Sequence, residues 1–160
     1  MRAKAIGKYG FQSFEFSEIY PFFWDQLEKA NLFLQGIIDT RDKPLNDKTV
    51  EWLFQHPLSD GGTFTGVADI VGKYGLVPKE AMPETNSSDN TSRMANLISL
   101  KLKEYGLQLR DLASNGAKPA ALDKEKTAAS FVVTVVRTPV RFILSANRGF
   151  WKVNLHGLSY

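Results

Sequence analysis

The chain has no cysteine among its 160 residues. That absence excludes a disulfide framework, a thiolate metal site and any catalysis that begins with a cysteine thiolate attacking a carbonyl. Histidine is nearly as scarce: His56 and His156 stand a hundred positions apart, too few ligands for a structural zinc site. Neither a metal nor a cofactor is expected. No run approaches the roughly 18 to 20 apolar residues that a membrane span needs. Met1-Arg2-Ala3-Lys4 leads into Gly7-Lys8-Tyr9 rather than into an apolar signal core, so a cytoplasmic setting without a membrane partner is the default expectation. Acid is missing from one end. Residues 126–160 hold Lys126, Arg137, Arg141, Arg148 and Lys152 and no Asp or Glu. Taking these five from the 20 cations leaves fifteen against 17 acids in residues 1–125, so the net charge of +3 arises wholly in the tail. What is present, 43% hydrophobic and 12% aromatic residues, suits one globular domain, which at this length buries roughly two thirds of its extended surface.

Phe14-Glu15-Phe16 alternates like a short extended segment. Ser17 then makes a good N-cap, with Glu18 favourable in the first turn and Pro21 tolerated there. A long helix should run to about Asp39, with the stripe Phe23, Leu27, Ala30, Leu34, Ile37 and Ile38 widened by Ile19, Phe22 and Phe33, so it should be largely buried. Pro44 lies in the breaker segment Arg41 to Asn46, and Asp47 caps a short helix that buries Val50, Leu53 and Phe54. Gln55 to Gly62 reads as a loop, marked by Pro57 and Gly61-Gly62. Thr63 caps a helix in which Phe64, Val67, Ala68, Val71 and Tyr74 recur at helical spacing before Gly75 stops it. Leu76-Val77-Pro78 and Met82-Pro83 read as extended, and Thr85 to Thr91 as a polar turn region. Asn90 or Thr91 opens a third long helix through Met94, Leu97, Ile98, Leu102, Tyr105 and Leu109 to about Leu112. A linker from Ser114 to Pro119 precedes a charged helical stretch around Asp123 to Lys126. After Ala128 the β-branched run Phe131 to Val136 and strand-like patches in Arg141 to Tyr160 set the tail apart, giving a boundary between residues 1–127 and 128–160.

Several of these segments, taken in order, carry a family resemblance. They are Phe14-Glu15-Phe16-Ser17, Phe22-Phe23-Trp24-Asp25-Gln26-Leu27-Glu28-Lys29-Ala30-Asn31, Asp60-Gly61-Gly62, Lys73-Tyr74-Gly75-Leu76-Val77-Pro78-Lys79, Met82-Pro83-Glu84-Thr85, Ser87-Ser88 and Thr91-Ser92-Arg93-Met94. From about Arg2 to Lys126 the chain resembles bleomycin hydrolase and aminopeptidase C, the cytoplasmic branch of the papain-like cysteine peptidases. The resemblance implies an α+β papain-like fold in the parent. This portion of it is predominantly α-helical, with short β segments expected in the C-terminal tail. It further implies that the nucleophilic Cys lies upstream, on a helix whose distal end is Met1 to Lys8, so that Met1 looks like an internal methionine that has become a start. The oxyanion-hole Gln lies further upstream, and the His and Asn lie beyond Tyr160. No catalytic residue is then expected in the chain itself. Relatives form ring-like hexamers, which implies a homo-hexamer, with a peptide as substrate. The tail departs from the family pattern, as an out-of-frame readthrough or as a genuine divergent segment.

Asp60-Gly61-Gly62 is the leading candidate site. Papain-like enzymes hold substrate extended against a backbone rail, and glycine suits a rail because the missing Cβ lets two main chains approach. Gly61 and Gly62 resemble that rail, with Thr63 and Phe64 where a pocket wall is expected; on spacing alone the same residues read as a turn before a helix. His56 beside Pro57 reads as a surface histidine, and Ser59, Asp60 and His56 mimic a triad in composition only. Asp25 and Glu28, with Lys29 nearby, read as a solvated or salt-bridged helix surface. Phe22, Phe23 and Trp24 read as core. Asn86-Ser87-Ser88 and Asn90-Thr91-Ser92 match glycosylation acceptors that a chain without an export signal would not use. The expected function is that of a portion of a cysteine aminopeptidase that cuts residues from peptide N-termini through a Cys-His-Asn site outside the chain, the chain alone being inactive. The alternative is a non-catalytic binding or assembly module that touches nucleic acid weakly through the basic tail. The cations there do not form a stripe, which argues against specific nucleic-acid binding.

Overall fold

The computed structural model describes residues 2–10, 12–59, 61–84 and 91–137. Six helices lie among them: α1 (Arg2–Tyr9), α2 (Ile19–Asp39), α3 (Lys48–Gln55), α4 (Phe64–Tyr74), α5 (Ser92–Ser114) and α6 (Pro119–Arg137). The chain divides into two compact units, the first drawing on residues 1–25 and 62–90, the second on 26–61 and 91–142.

In the first unit, residues 15–17 pair with 77–82. The Phe16–Pro78 bridge is antiparallel, with Ser17 N–H donating to the Val77 carbonyl at 3.0 Å and Lys79 N–H to that of Glu15 at 3.0 Å. Ser17 ties this pairing to α2. Its Oγ accepts from Tyr20 N–H at 3.2 Å and donates to the Met82 carbonyl at 2.7 Å, so one buried hydroxyl caps a helix and holds a loop. Tyr20 Oη donates to the Tyr74 carbonyl at 2.9 Å, and the Tyr74 ring stacks on Trp24 with centroids 3.9 Å apart. Gly75 ends α4 at φ 77°, a conformation open to glycine. The helical spacing in α4 runs through Phe64, Val67, Ala68, Val71 and Tyr74. Of these the structure buries Val71, with Ile70 beside it, half-buries Tyr74 and leaves Phe64 87% exposed, with Val67 and Ala68 exposed as well.

The second unit holds the main core. Ala30, Phe33, Leu34, Ile37 and Ile38 of α2 pack with Ile98, Leu102 and Leu109 of α5 and with Leu122 and Ala129 of α6. Leu53 and Phe54 of α3 close one side, and Asp47 caps α3 by accepting from Thr49 N–H at 2.9 Å. A buried aliphatic side chain of this size contributes about 1.5 to 3 kcal/mol relative to an exposed one, so this cluster outweighs any surface ion pair. Polar ties fix its register. Arg110 donates through Nη1 to the Thr40 carbonyl at 3.0 Å and through Nη2 to that of Lys43, clamping the turn after α2. Lys126 Nζ donates to Gln35 Oε1 at 2.6 Å and Ser130 Oγ to Asn31 Oδ1 at 2.5 Å.

One C-terminal segment differs from expectation. Phe131 to Val136, read as a β-branched strand, continues α6, which runs unbroken from Pro119 to Arg137. No strand of a sheet occurs among the described residues. The strand-like patches proposed for Arg141 to Tyr160 lie outside them, as do His156 and most of the polar turn region at 85–90. Of the expected α5 face, Ile98, Leu102 and Leu109 are buried, whereas Leu97 is exposed. Thr91 precedes α5 with helical backbone and makes no capping bond through its side chain.

Candidate functional site

The loop between α3 and α4 is fixed at both ends by local chemistry. At its start, His56 N–H donates to the Trp52 carbonyl at 3.0 Å, and His56 Nδ1 meets the same carbonyl at 3.1 Å. A carbonyl can only accept, so Nδ1 carries the proton. The imidazole also stacks on Trp52, centroids 5.3 Å apart. His56 thus ends α3 as an exposed residue stacked on Trp52. Pro57 is buried and Leu58 packs against the core cluster. At the far end, Thr63 is extended at φ −103° and ψ 158°, and its Oγ1 accepts from Gly66 N–H at 3.2 Å to cap α4.

Between these anchors Gly61 and Gly62 are exposed, and apart from their chain neighbours no atom of the described residues lies within 4 Å of where a Cβ would stand on either. Lys29, from α2, donates through Nζ to the Gly61 carbonyl at 2.7 Å. Thr63 and Phe64 follow directly, Thr63 as cap and Phe64 with its ring exposed. Asp60 lies outside the described residues. Sequence reasoning placed the glycines in a loop and Thr63 at a helix start, but it missed Lys29 as the partner of Gly61. Thirty-two positions separate the pair, and no local pattern encodes a contact across that distance.

Acid–base chemistry has little to work with here. Among the described residues no group of three or more Asp, Glu or His side chains could hold a metal ion. Asp25 and Glu28 lie half-buried on α2. The carboxyl held below its ordinary value belongs to Asp47, where the Thr49 backbone N–H favours the ionised form. That is a cap, distant in function from any cleavage. What Gly61 and Gly62 present here is exposed main chain.

Known proteins share this arrangement of elements. Residues 1–141 match the model of the Peptidase C1-like family. Aminopeptidase C of Lactobacillus delbrueckii subsp. lactis is 37% identical over 126 residues, covering 79% of this chain and 28% of that protein. Bleomycin hydrolase of Rattus norvegicus is 35% identical over 130 residues, covering 80% and 29%. The crystal structure of PepW from Lactobacillus rhamnosis HN001 superimposes with a TM-score of 0.77 at 34% identity, covering 85% of this chain and 31% of that one. The chain thus spans less than a third of the length of these proteins.

Proposed function

This chain belongs to the Peptidase C1-like family, and from that premise we propose that it is the helical, substrate-facing portion of a cysteine aminopeptidase, able to hold a peptide but not to cleave one. The observation that carries the reading is the pair Gly61-Gly62, exposed with open space over both α-carbons, in a chain without a single cysteine. An extended peptide can be bound by main-chain hydrogen bonds where a second backbone comes close, and the missing Cβ of glycine eases that approach. Asp60, Gly61, Gly62, Thr63 and Phe64 form the proposed binding segment, with Phe64 presenting an exposed ring to a neighbouring side chain of the substrate. A cysteine peptidase is acylated on a thiolate, and this chain has no cysteine to supply one.

The parent activity is release of residues from peptide N-termini through a Cys-His-Asn site outside this chain, in a cytoplasmic homo-hexamer. The relatives named above are aminopeptidase C and bleomycin hydrolase, which supports the aminopeptidase part of that assignment. A fluorogenic aminoacyl substrate incubated with the purified chain should give no turnover above buffer. Turnover abolished by a thiol reagent would contradict the proposal outright.

A further inference from the structure

Gly61 would be free to sample many conformations if only its own backbone governed it, since glycine populates both signs of φ. Lys29 restricts that freedom. Its Nζ holds the Gly61 carbonyl at 2.7 Å from a position in the middle of a packed helix. A trans peptide is planar, with its C=O and its N–H pointing in opposite directions, and no cis peptide bond occurs among the described residues. Holding the Gly61 carbonyl on the Lys29 ammonium therefore turns the N–H of the same peptide group, that of Gly62, away from that ammonium. Gly62 is exposed, and beyond its chain neighbours no described atom stands near where its Cβ would be, so a second main chain has room to approach this N–H.

We propose that Lys29 is a positioning residue for peptide binding, holding the Gly61–Gly62 peptide plane so that the Gly62 N–H donates to a main-chain carbonyl of an extended peptide. The inference rests on the backbone-rail reading above and deepens it. The ligand class is the peptide main chain, whatever its side chains. A charged donor on a carbonyl is stronger than a neutral one, and its stem reaches the loop from a helix whose neighbouring residues, Ala30, Phe33 and Leu34, are locked in the core. Arginine can supply an equivalent donor at similar reach, whereas methionine matches the length and donates nothing.

Backbone resonances of the isotopically labelled chain test this, with tetra-alanine as the probe. In the absence of peptide, Lys29→Met should move the Gly61 carbonyl carbon and the Gly62 amide resonances, while Lys29→Arg leaves them close to wild type. With tetra-alanine added, the wild-type Gly62 amide proton should shift downfield. Binding should weaken about three- to ten-fold in Lys29→Met, the range expected for one charge-assisted hydrogen bond partly exposed to water, and recover in Lys29→Arg. Should Lys29→Met not fold, Lys29→Gln, too short to reach the carbonyl, gives the same readout. Unchanged Gly61 and Gly62 resonances in the peptide-free variants, or equal affinity across them, overturns the role of Lys29. A wild-type Gly62 shift on adding peptide would in that case leave the rail reading standing. A wild-type titration in which neither glycine moves overturns the rail reading, and the proposal with it.

Discussion

Gly72 and Gly106 are both helical glycines, yet replacing them with alanine should have opposite effects. On α4, nothing lies within 4 Å of the Cβ that Gly72 lacks. Gly72→Ala therefore gains helix propensity of up to about 1 kcal/mol at no steric cost. On α5, a Cβ at Gly106 would stand 3.2 Å from Phe33 Cζ and 3.2 Å from Phe54 Cε1 and Cζ. Those two rings already meet edge to face, with centroids 5.9 Å apart, so neither can retreat without disturbing the other. Overpacking typically costs about 1 to 3 kcal/mol, more than the propensity gain. Urea unfolding should place Gly72→Ala above wild type and Gly106→Ala below it; a stabilised Gly106→Ala would mean that the Phe33–Phe54 pair is loosely held.

At the scale of an element, capping dominates, and the cap of α3 responds to acid. Thr49 N–H donates to Asp47 Oδ1, and this bond holds the carboxyl below its ordinary 3.8. A depressed carboxyl pKa contributes stability above the unfolded value and loses it as pH falls through the folded one. Circular dichroism at pH 6 and again below pH 3 should show a smaller loss of helix in Asp47→Asn than in wild type, because asparagine caps without a titrating group. An equal loss in both would assign the acid sensitivity to other carboxylates. Caps were also the most legible elements of the sequence: Ser17, Asp47, Thr63 and Gly75 all act within a few residues of themselves, where sequence pattern is direct evidence. The β-branched run in α6 was misread for the converse reason. Val132, Val133, Val135 and Val136 carry a strand preference of under about 1 kcal/mol each, whereas a helix already nucleated from Pro119 gains a hydrogen bond with every added residue. Periodicity likewise showed that α4 has an apolar face without showing which part of it is covered; Ile70 is buried and Phe64 is not. At the candidate site the glycines were legible as a loop, while the tie from Lys29 was not, being a matter of tertiary placement.

For the whole molecule, the unpaired apolar surface matters most. Leu97, Leu100 and Leu107 are exposed along α5, Leu100 by 63%, at spacings that repeat on a helix. Exposed apolar stripes of this kind promote association. Light scattering on a concentration series should detect assemblies larger than one chain, and Leu100→Glu combined with Leu107→Lys should reduce them, leaving the unfolding free energy within about 0.5 kcal/mol of wild type. A monodisperse monomer at every concentration would show that the stripe is inert. The pairing of residues 15–17 with 77–82 carries a different consequence. Its side-chain bond joins positions 65 apart, and bringing such distant points together costs roughly 4 kcal/mol of chain entropy before any bond rewards it. Local helices face no comparable delay, so this seam should zip up late and part early. Its influence falls on how long the first unit survives once formed, not on how quickly it assembles, which makes Ser17 a timekeeper of the native lifetime.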